Sequence, residues 1–211
     1  NNIRFSILTS RLLRVEYNKK GLFTDEPTQS VINRNFDKPA FNIVEDGDKV
    51  IIITTNTIFK YATISKRMTG ISLKGGKNLT EYESGNLKGT YRTLDMANGE
   101  IEIGKGLMSK NGVAVVDDTA GLILNPDGTI GERRKTQKDE YYFAYNHDYR
   151  ACLSDFFKLC GKVPLVPRYC LGNWWSRYKA YTQHEYLTLM KRFADENIPI
   201  TVATVDMDWH R

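Results

Sequence analysis

The spacing of apolar residues changes near residue 146, and this change constrains the fold more than any other feature of the 211-residue sequence. Before it, short runs either alternate, as in Leu12–Tyr17 and Thr57–Tyr61, or are rich in β-branched residues, as in Lys49–Thr55. Glycines and the turn sequence Asn125-Pro126-Asp127-Gly128 separate such runs. Many short strands with regular turn signals are typical of a sandwich. We therefore predict a mainly β fold, with an N-terminal β-sandwich over residues 1–145.

A helical pattern follows the predicted sandwich. Asp148 is a good helix-capping residue, and Gly161 is a natural helix end. Between them, apolar residues recur with the 3.6-residue period of a helix: Tyr149, Cys152, Leu153, Phe156, Leu159 and Cys160. The pattern predicts a connecting helix within residues 146–163.

The last part of the chain has a strand, helix, strand pattern. Tyr169–Trp175 is a short apolar strand candidate, and Ile200–Val205 has the β-branched content of a buried parallel strand. Between them, Thr182-Gln183-His184-Glu185 has the form of a capping box, which predicts a helix from there to about Asn197. Such a unit builds both doubly wound sheets and (β/α)8 barrels. Residues 164–211 are therefore predicted to begin a parallel α/β domain.

The charge distribution argues against nucleic acid as a partner. The net charge is +5, but the one dense basic run, Arg133-Arg134-Lys135, is mixed with Glu132, Asp139 and Glu140. Nucleic-acid-binding proteins usually gather their positive charge into a patch or stripe. We therefore expect the basic run to be a solvated loop.

Cysteine usage and hydropathy indicate the cellular compartment in which the protein is expected. Cys152, Cys160 and Cys170 are odd in number and form no CxxC, which favours free buried thiols over a disulfide framework or a zinc site. Free thiols are typical of a reducing compartment, so we expect a cytoplasmic protein. No apolar run approaches the ~18 residues of a membrane helix, and no signal peptide is visible. We therefore predict no membrane partner.

The densest polar cluster is Asp206-Met207-Asp208-Trp209-His210, directly after the last predicted strand. Parallel α/β folds bind ligands at this end of their strands. Alternation would place Asp206, Asp208 and His210 on one face. Three interpretations remain open: a metal site of carboxylates and imidazole, a sugar site in which Asp206 accepts hydrogen bonds from two hydroxyls, and carboxylates paired with neighbouring Arg or Lys.

A second cluster, Asn173-Trp174-Trp175-Ser176-Arg177-Tyr178, ends the preceding predicted strand. Adjacent tryptophans at such a position favour core packing as one interpretation. The other is a pocket wall formed by an aromatic ring or by the Tyr178 hydroxyl.

Four stretches resemble glycoside hydrolase family 31. They are Pro164–His210, which ends in Asp206-Met207-Asp208-Trp209-His210, and the segments Asn86–Asp95, Gly106–Asp118 and Tyr141–Tyr149. The resemblance implies a galactose-mutarotase-like β-sandwich followed by the first βαβ units of a (β/α)8 TIM barrel, truncated in this sequence. It also implies a retaining α-glycosidase without a cofactor, with α-glucosidase as the expected activity.

The resemblance assigns substrate-binding roles to five residues of this chain. Asp206 follows the second barrel strand and binds hydroxyls of the sugar in the −1 subsite, and Met207 contacts the same sugar. Tyr178 occupies the pocket wall after the first strand. Arg92 and Asp95 lie in a stretch similar to a sandwich loop that reaches over the barrel mouth.

The resemblance also implies what the chain requires from elsewhere. The two catalytic aspartates of the family lie on later barrel strands, so no catalytic residue and no metal ligand is expected in residues 1–211. The expected partners are an oligosaccharide substrate and the remainder of the same polypeptide, including the rest of the barrel and C-terminal β domains. The alternatives are an α-xylosidase or a transglycosidase within the family, or a non-catalytic carbohydrate-binding β-sandwich module.

Overall fold

The computed structural model describes residues 2–76, 78–79, 85–89, 96–133 and 138–206. The chain divides into two compact units, Asn1–Lys162 and Val163–Arg211. The described part of the first unit contains ten strands: β1 (Ile3–Thr9), β2 (Leu12–Tyr17), β3 (Phe41–Asp46), β4 (Lys49–Thr54), β5 (Thr57–Ala62), β6 (Arg67–Leu73), β7 (Ala114–Asp117), β8 (Ile123–Leu124), β9 (Ile130–Gly131) and β10 (Lys138–Phe143).

Eight of these strands form two four-stranded sheets, and β8 and β9 form a small hairpin. The first sheet has the order β1-β2-β10-β7, and the second has the order β3-β4-β5-β6. All pairings in both sheets are antiparallel. The second sheet is built from consecutive strands, whereas the first brings β2 beside β10, with Leu12 opposite Phe143.

One buried apolar cluster joins the two sheets. Its members from the first sheet include Leu13, Val15 and Tyr142, and those from the second include Ile52 and Phe59. Alternation along each strand places these side chains on one face, as the pattern in Leu12–Tyr17 indicates. The predicted mainly β class is confirmed. The galactose-mutarotase-like form of the sandwich stays a prediction.

The opposite face of the first sheet is covered by a helix, α1 (Tyr149–Cys160). The Asp148 side chain caps it by accepting a hydrogen bond of 3.2 Å from the Ala151 N–H, and the Gly161 N–H donates to the Phe157 carbonyl. Cys152 and Leu159 of α1 share a second buried cluster with residues of β2 and β10. The predicted helix is confirmed, and it packs within the first unit.

Strand β2 is buried on both faces because a cluster of charges lies beside its polar residues. Arg14 and Glu16 are buried. The Arg14 Nε and Nη2 atoms donate to the two carboxylate oxygens of Asp139 on β10, over 2.8 and 2.7 Å. Asp139 also binds Arg133, which pairs in addition with Asp118. Such fork-to-fork geometry is the strongest form of a charged hydrogen bond.

This cluster corrects one prediction about the basic run. Arg133 was expected in a solvated loop, but its side chain is only 5% exposed. The buried carboxylates of Asp118 and Asp139 draw it inward, since an unpaired buried charge is costly. Residues 134–137 lie outside the described residues.

The three cysteines are unpaired, and Cys152 is buried whereas Cys160 and Cys170 are partly exposed. Burial raises the pKa of the Cys152 thiol to about 12 and that of Cys160 to about 11. Neither helix in the described part of the chain is both long and apolar enough to cross a bilayer.

The second unit contains a short 3-10 helix (Arg168–Leu171), strand β11 (Trp174–Trp175), helix α2 (Gln183–Asp195) and strand β12 (Val202–Ala203). The predicted strand, helix, strand order is confirmed, but both strands are shorter than the predicted Tyr169–Trp175 and Ile200–Val205. Pro167 starts a tight turn in which its carbonyl accepts from the Cys170 N–H over 2.9 Å, and this turn occupies the first half of the predicted strand.

Candidate functional site

Strands β11 and β12 run in parallel, so both end at the same edge of their sheet. Trp174 lies opposite Val202, and Trp175 lies opposite Ala203. The ladder continues past β12, since the Thr204 N–H donates to the Trp175 carbonyl over 2.9 Å. This edge is where parallel α/β folds bind ligands.

The two faces of β11 have different partners. The ring of Trp175 lies 4.9 Å from that of Phe193 on α2, so this residue faces the helix. Alternation turns the next residue, Ser176, to the other face. There the Ser176 hydroxyl donates a hydrogen bond of 3.2 Å to an Asp206 carboxylate oxygen. The two strand ends thus bring a hydroxyl and a carboxylate together across 30 residues of sequence.

A pocket of about 280 Å³ lies at these strand ends and includes Asp206 in its wall. Its wall combines polar, basic and aromatic side chains from the loop after β11, the start of α2 and the end of β12. The lining residues are Arg177, Lys179, Ala180, Tyr181, Thr182, Gln183, Tyr186, Leu187, Thr204, Val205 and Asp206.

The first turn of α2 is fixed to this pocket by local hydrogen bonds. Thr182 and Glu185 form the predicted capping box, with the Glu185 carboxylate accepting the Thr182 N–H over 2.8 Å. The hydrogen bonds from the Thr182 backbone and side chain lower the pKa of Glu185. One turn on, the Tyr186 hydroxyl donates to the Thr204 carbonyl over 2.6 Å. Helix and strand end are thereby held together.

Aromatic rings add flat surface to the same wall. The rings of Tyr181 and Tyr186 pack edge to face with centroids 5.4 Å apart, and the Lys179 ammonium lies 5.1 Å from the centre of the Tyr181 ring. Two tyrosines beside a carboxylate give a pocket both apolar surface and hydrogen-bonding groups, the combination found in small-molecule sites.

Of the five predicted substrate-binding residues, the structure describes two. Asp206 lines the pocket. Tyr178 is 66% exposed, and it is not one of the described residues that form the pocket wall. Met207, Arg92 and Asp95 lie outside the described residues, so their roles stay predictions.

Sequence reasoning missed most of the pocket wall. Arg177 and Ser176 stood inside the cluster that ends β11, but neither was singled out. Lys179 and Tyr181 lie in the loop before α2 and matched no motif, and Tyr186 lies within α2, where a tyrosine is most often core material. The capping box was the available clue, since it placed the start of α2 beside the strand ends.

The metal interpretation depends on residues that the structure leaves out. Among the described residues, no three His, Cys, Asp or Glu side chains gather closely enough to hold a metal ion. Asp208 and His210, the other two proposed ligands, lie outside the described part of the chain. What the described geometry offers is a carboxylate acceptor beside a hydroxyl and aromatic rings, a set suited to an uncharged ligand rich in hydroxyl groups.

Comparison with known proteins gives matches to a family model, to a curated protein and to solved structures. Residues 163–211 match the family model described as the glycosyl hydrolases family 31 TIM-barrel domain. The chain is 28% identical over 142 residues to an alpha-xylosidase of Saccharolobus solfataricus, covering 63% of this chain. Its fold matches a Flavobacterium johnsoniae GH31 dextranase complexed with isomaltotriose, with a TM-score of 0.63 and 15% identity over 100% of the chain.

A further solved structure, the cycloalternan-forming enzyme of Listeria monocytogenes in complex with a pentasaccharide substrate, matches with a TM-score of 0.55 at 13% identity, covering 94% of this chain and 23% of that chain. This chain spans 19% of the length of the alpha-xylosidase and 32% of the dextranase chain. Together, the family model over residues 163–211 and the curated relative confirm that this chain resembles glycoside hydrolase family 31.

Proposed function

We propose that this chain is part of a retaining α-glycosidase that removes terminal α-linked sugars from short saccharides, with α-glucosidase as its activity. The observation that carries the proposal is the position of Asp206. It stands at the carboxyl end of β12, lines the pocket and accepts a hydrogen bond from Ser176. A carboxylate in that place can accept hydrogen bonds from two adjacent hydroxyls of one sugar ring.

The chemistry needs a second set of residues. A retaining enzyme uses two carboxyl groups about 5–5.5 Å apart, one as nucleophile and one as acid and base. In our proposal both come from other parts of the polypeptide, and residues 1–211 contribute substrate binding. Asp206 would then hold and orient the sugar. Meanwhile the anomeric carbon of that sugar exchanges its bond to the leaving group for a bond to the nucleophilic carboxylate.

The exposure of apolar side chains in the second unit supports this division of labour. Helix α2 has no buried residue, and Leu165 and Leu171 are 98% and 77% exposed. Large apolar patches left open to water usually mark interaction surfaces. We propose that further strands and helices of a (β/α)8 barrel cover them.

The test is the substitution Asp206→Ala in the full-length protein. Deleting a charged hydrogen-bond partner costs about 1.5–3 kcal/mol, and each ~1.4 kcal/mol is a factor of ten. We expect kcat/KM for an aryl α-glucoside to fall by about 10- to 100-fold. Steady-state kinetics of purified protein measures it.

The matched control is Asp195→Ala. Asp195 is also an aspartate of the second unit, but it lies on the surface of α2 and pairs with Lys191 over 2.7 Å. We expect its kcat/KM to equal that of the parent protein. Unchanged kcat/KM in Asp206→Ala would remove Asp206 from the substrate site and contradict the proposal.

The second candidate is an α-xylosidase, which the similarity to the Saccharolobus solfataricus protein favours. The two sugars differ at one point, since glucose carries a hydroxymethyl group that xylose lacks. A pocket built for xylose has no room for that group. The kcat/KM of the parent protein for aryl α-glucoside and aryl α-xyloside therefore decides between the two activities.

A further inference from the structure

We infer that Ser176 is a positioning residue that sets the orientation of the Asp206 carboxylate. The inference rests on the proposed function, because it gives Ser176 its role through the sugar contact assigned to Asp206. The motivating contact is the 3.2 Å hydrogen bond from the Ser176 hydroxyl to Asp206 Oδ2, between the ends of two neighbouring strands.

An aspartate needs such a partner if it is to hold a sugar in one geometry. The last torsion of its side chain is broad and roughly two-fold, so the plane of the carboxylate is weakly defined by the chain itself. A hydrogen bond to one oxygen fixes that plane. Each carboxylate oxygen has two lone-pair directions, so a donor that occupies one of them still allows sugar hydroxyls to bind the carboxylate.

Ser176 is held firmly enough to act in this way. It directly follows β11, whose Trp175 ring packs 4.9 Å from Phe193 on the helix side. The pairing of Trp175 with Ala203 and the hydrogen bond from the Thr204 N–H to the Trp175 carbonyl fix β11 against β12 and the residue after it, shortly before Asp206. The serine side chain has a single rotatable carbon torsion, so little freedom remains once its backbone is fixed.

A neutral hydroxyl also suits the chemistry better than a cation would. Asp206 binds a neutral ligand in our proposal, and a strong ion pair at Oδ2 would compete with the sugar hydroxyls for the carboxylate. A hydrogen bond from a hydroxyl to a carboxylate brings no opposite charge to the carboxylate. A hydroxyl can therefore orient the carboxylate without neutralising it.

The test compares Ser176→Ala with Ser176→Thr in the full-length protein. Ser176→Ala should lower kcat/KM for an aryl α-glucoside by about 3- to 10-fold, less than Asp206→Ala, because the carboxylate itself remains and only its orientation is lost. The loss should fall mainly on kcat, because misalignment weakens contacts that matter most in the transition state. Ser176→Thr keeps the hydroxyl and should restore kcat/KM to within about 2-fold of the parent.

The decisive control repeats Ser176→Ala in an Asp206→Ala background. If Ser176 acts through Asp206, the double variant should be no slower than Asp206→Ala alone, a non-additivity that only coupled residues show. Ser154→Ala, an exposed serine on α1, controls for the substitution itself, and the melting temperature of each variant reports any loss of folding.

The outcomes separate the two claims. Equal fold losses from Ser176→Ala in both backgrounds, or no rescue by threonine, would overturn the positioning role while leaving Asp206 as a substrate contact. A harmless Asp206→Ala would overturn the proposed site, and the positioning role with it.

Discussion

Arg14 is a charged residue with the burial of a core leucine, since its side chain is only 2% exposed. It stays charged because carboxylates surround it: hydrogen bonds and charges from Asp139 and Glu16 outweigh the effect of burial and raise its pKa. Removing one member of such a group leaves its partners charged, buried and short of opposite charge. The cluster therefore makes the first unit dependent on a few polar side chains.

We predict that Asp139→Ala lowers the free energy of unfolding by about 3–5 kcal/mol, the usual loss when one partner of a buried ion pair is removed. The melting temperature of the full-length protein measures the loss. Amide hydrogen exchange in peptides that cover β2 and β10 locates it.

Asp25→Ala is the matched control. Asp25 also pairs with an arginine, Arg4, over 2.7 Å, but its side chain is 81% exposed. Exposed ion pairs contribute about 0–1 kcal/mol, so the melting temperature should barely change. Equal effects of the two substitutions would show that burial does not set the strength of the Asp139 interactions.

Among the elements, α2 begins with a complete capping box and has no buried residue within the described part of the chain. The capping box satisfies backbone N–H groups at its start and so contributes to its local stability. The Thr182 hydroxyl accepts the Glu185 N–H over 3.3 Å, and the Glu185 side chain accepts the Thr182 N–H and hydroxyl.

We predict that Thr182→Ala destabilises α2 by about 1 kcal/mol, the typical effect of losing a helix cap. Hydrogen exchange of a peptide spanning α2 in the full-length protein should become about 5-fold faster, which is that free energy as a rate ratio. Thr188→Ala makes the same substitution on the exposed middle of the helix, where alanine is the better helix former. It should slow exchange or leave it unchanged, and faster exchange in both variants would contradict a capping effect.

For the molecule as a whole, the buried carboxylates predict how stability depends on pH. Burial would raise the pKa of Asp139, but hydrogen bonds and charges from Arg14, with those from Arg133, lower it below its ordinary value. Its contribution to stability is therefore present above the ordinary aspartate pKa of about 3.9 and is lost as pH falls below it. The difference in melting temperature between the parent and Asp139→Asn should be large at neutral pH and shrink towards pH 3.

The pKa of Asp118 is shifted in the opposite direction, so its contribution to stability changes with pH in the opposite sense. Its burial raises its pKa, and this effect outweighs the hydrogen bond from Thr28 and the charge of Arg133. The folded protein therefore favours the protonated form of Asp118. The stability that this residue contributes is present below about pH 3.9 and declines as pH rises through its raised pKa. Asp118→Asn should gain stability relative to the parent as pH rises from 4, and parallel pH profiles for the two variants would refute the assignment.

The local sequence pattern predicted the helices and strands better than it predicted which residues they contact in the fold. The strand at Leu12–Tyr17 and both helices were visible in the sequence, because alternation and capping are local. Alternation gave no sign that Arg14 would be buried, since its partner Asp139 is 125 residues away.

In the candidate site, too, the position of one residue was predictable from the sequence, whereas its contacts were not. Asp206 was predicted from its place after a strand, together with the family resemblance. The contact with Ser176 and the wall formed by Tyr181 and Tyr186 depend on how β11, α2 and β12 pack, and one sequence does not specify that packing. Strand β11 is shorter than predicted because the turn after Pro167 occupies the first half of Tyr169–Trp175.

The place of β2 between β1 and β10 has a consequence during synthesis. The β1–β2 hairpin is complete once residue 17 has been made, yet the partner of Arg14 follows 125 residues later. At ribosomal rates of about 5–20 residues per second, that interval lasts about 6–25 s. Meanwhile β3 to β6 pair only with their neighbours in sequence, so this meander can form first. Until β10 has been made, the nascent hairpin has an unpaired edge along β2, and Arg14 has only Glu16 of its own strand as a counter-charge.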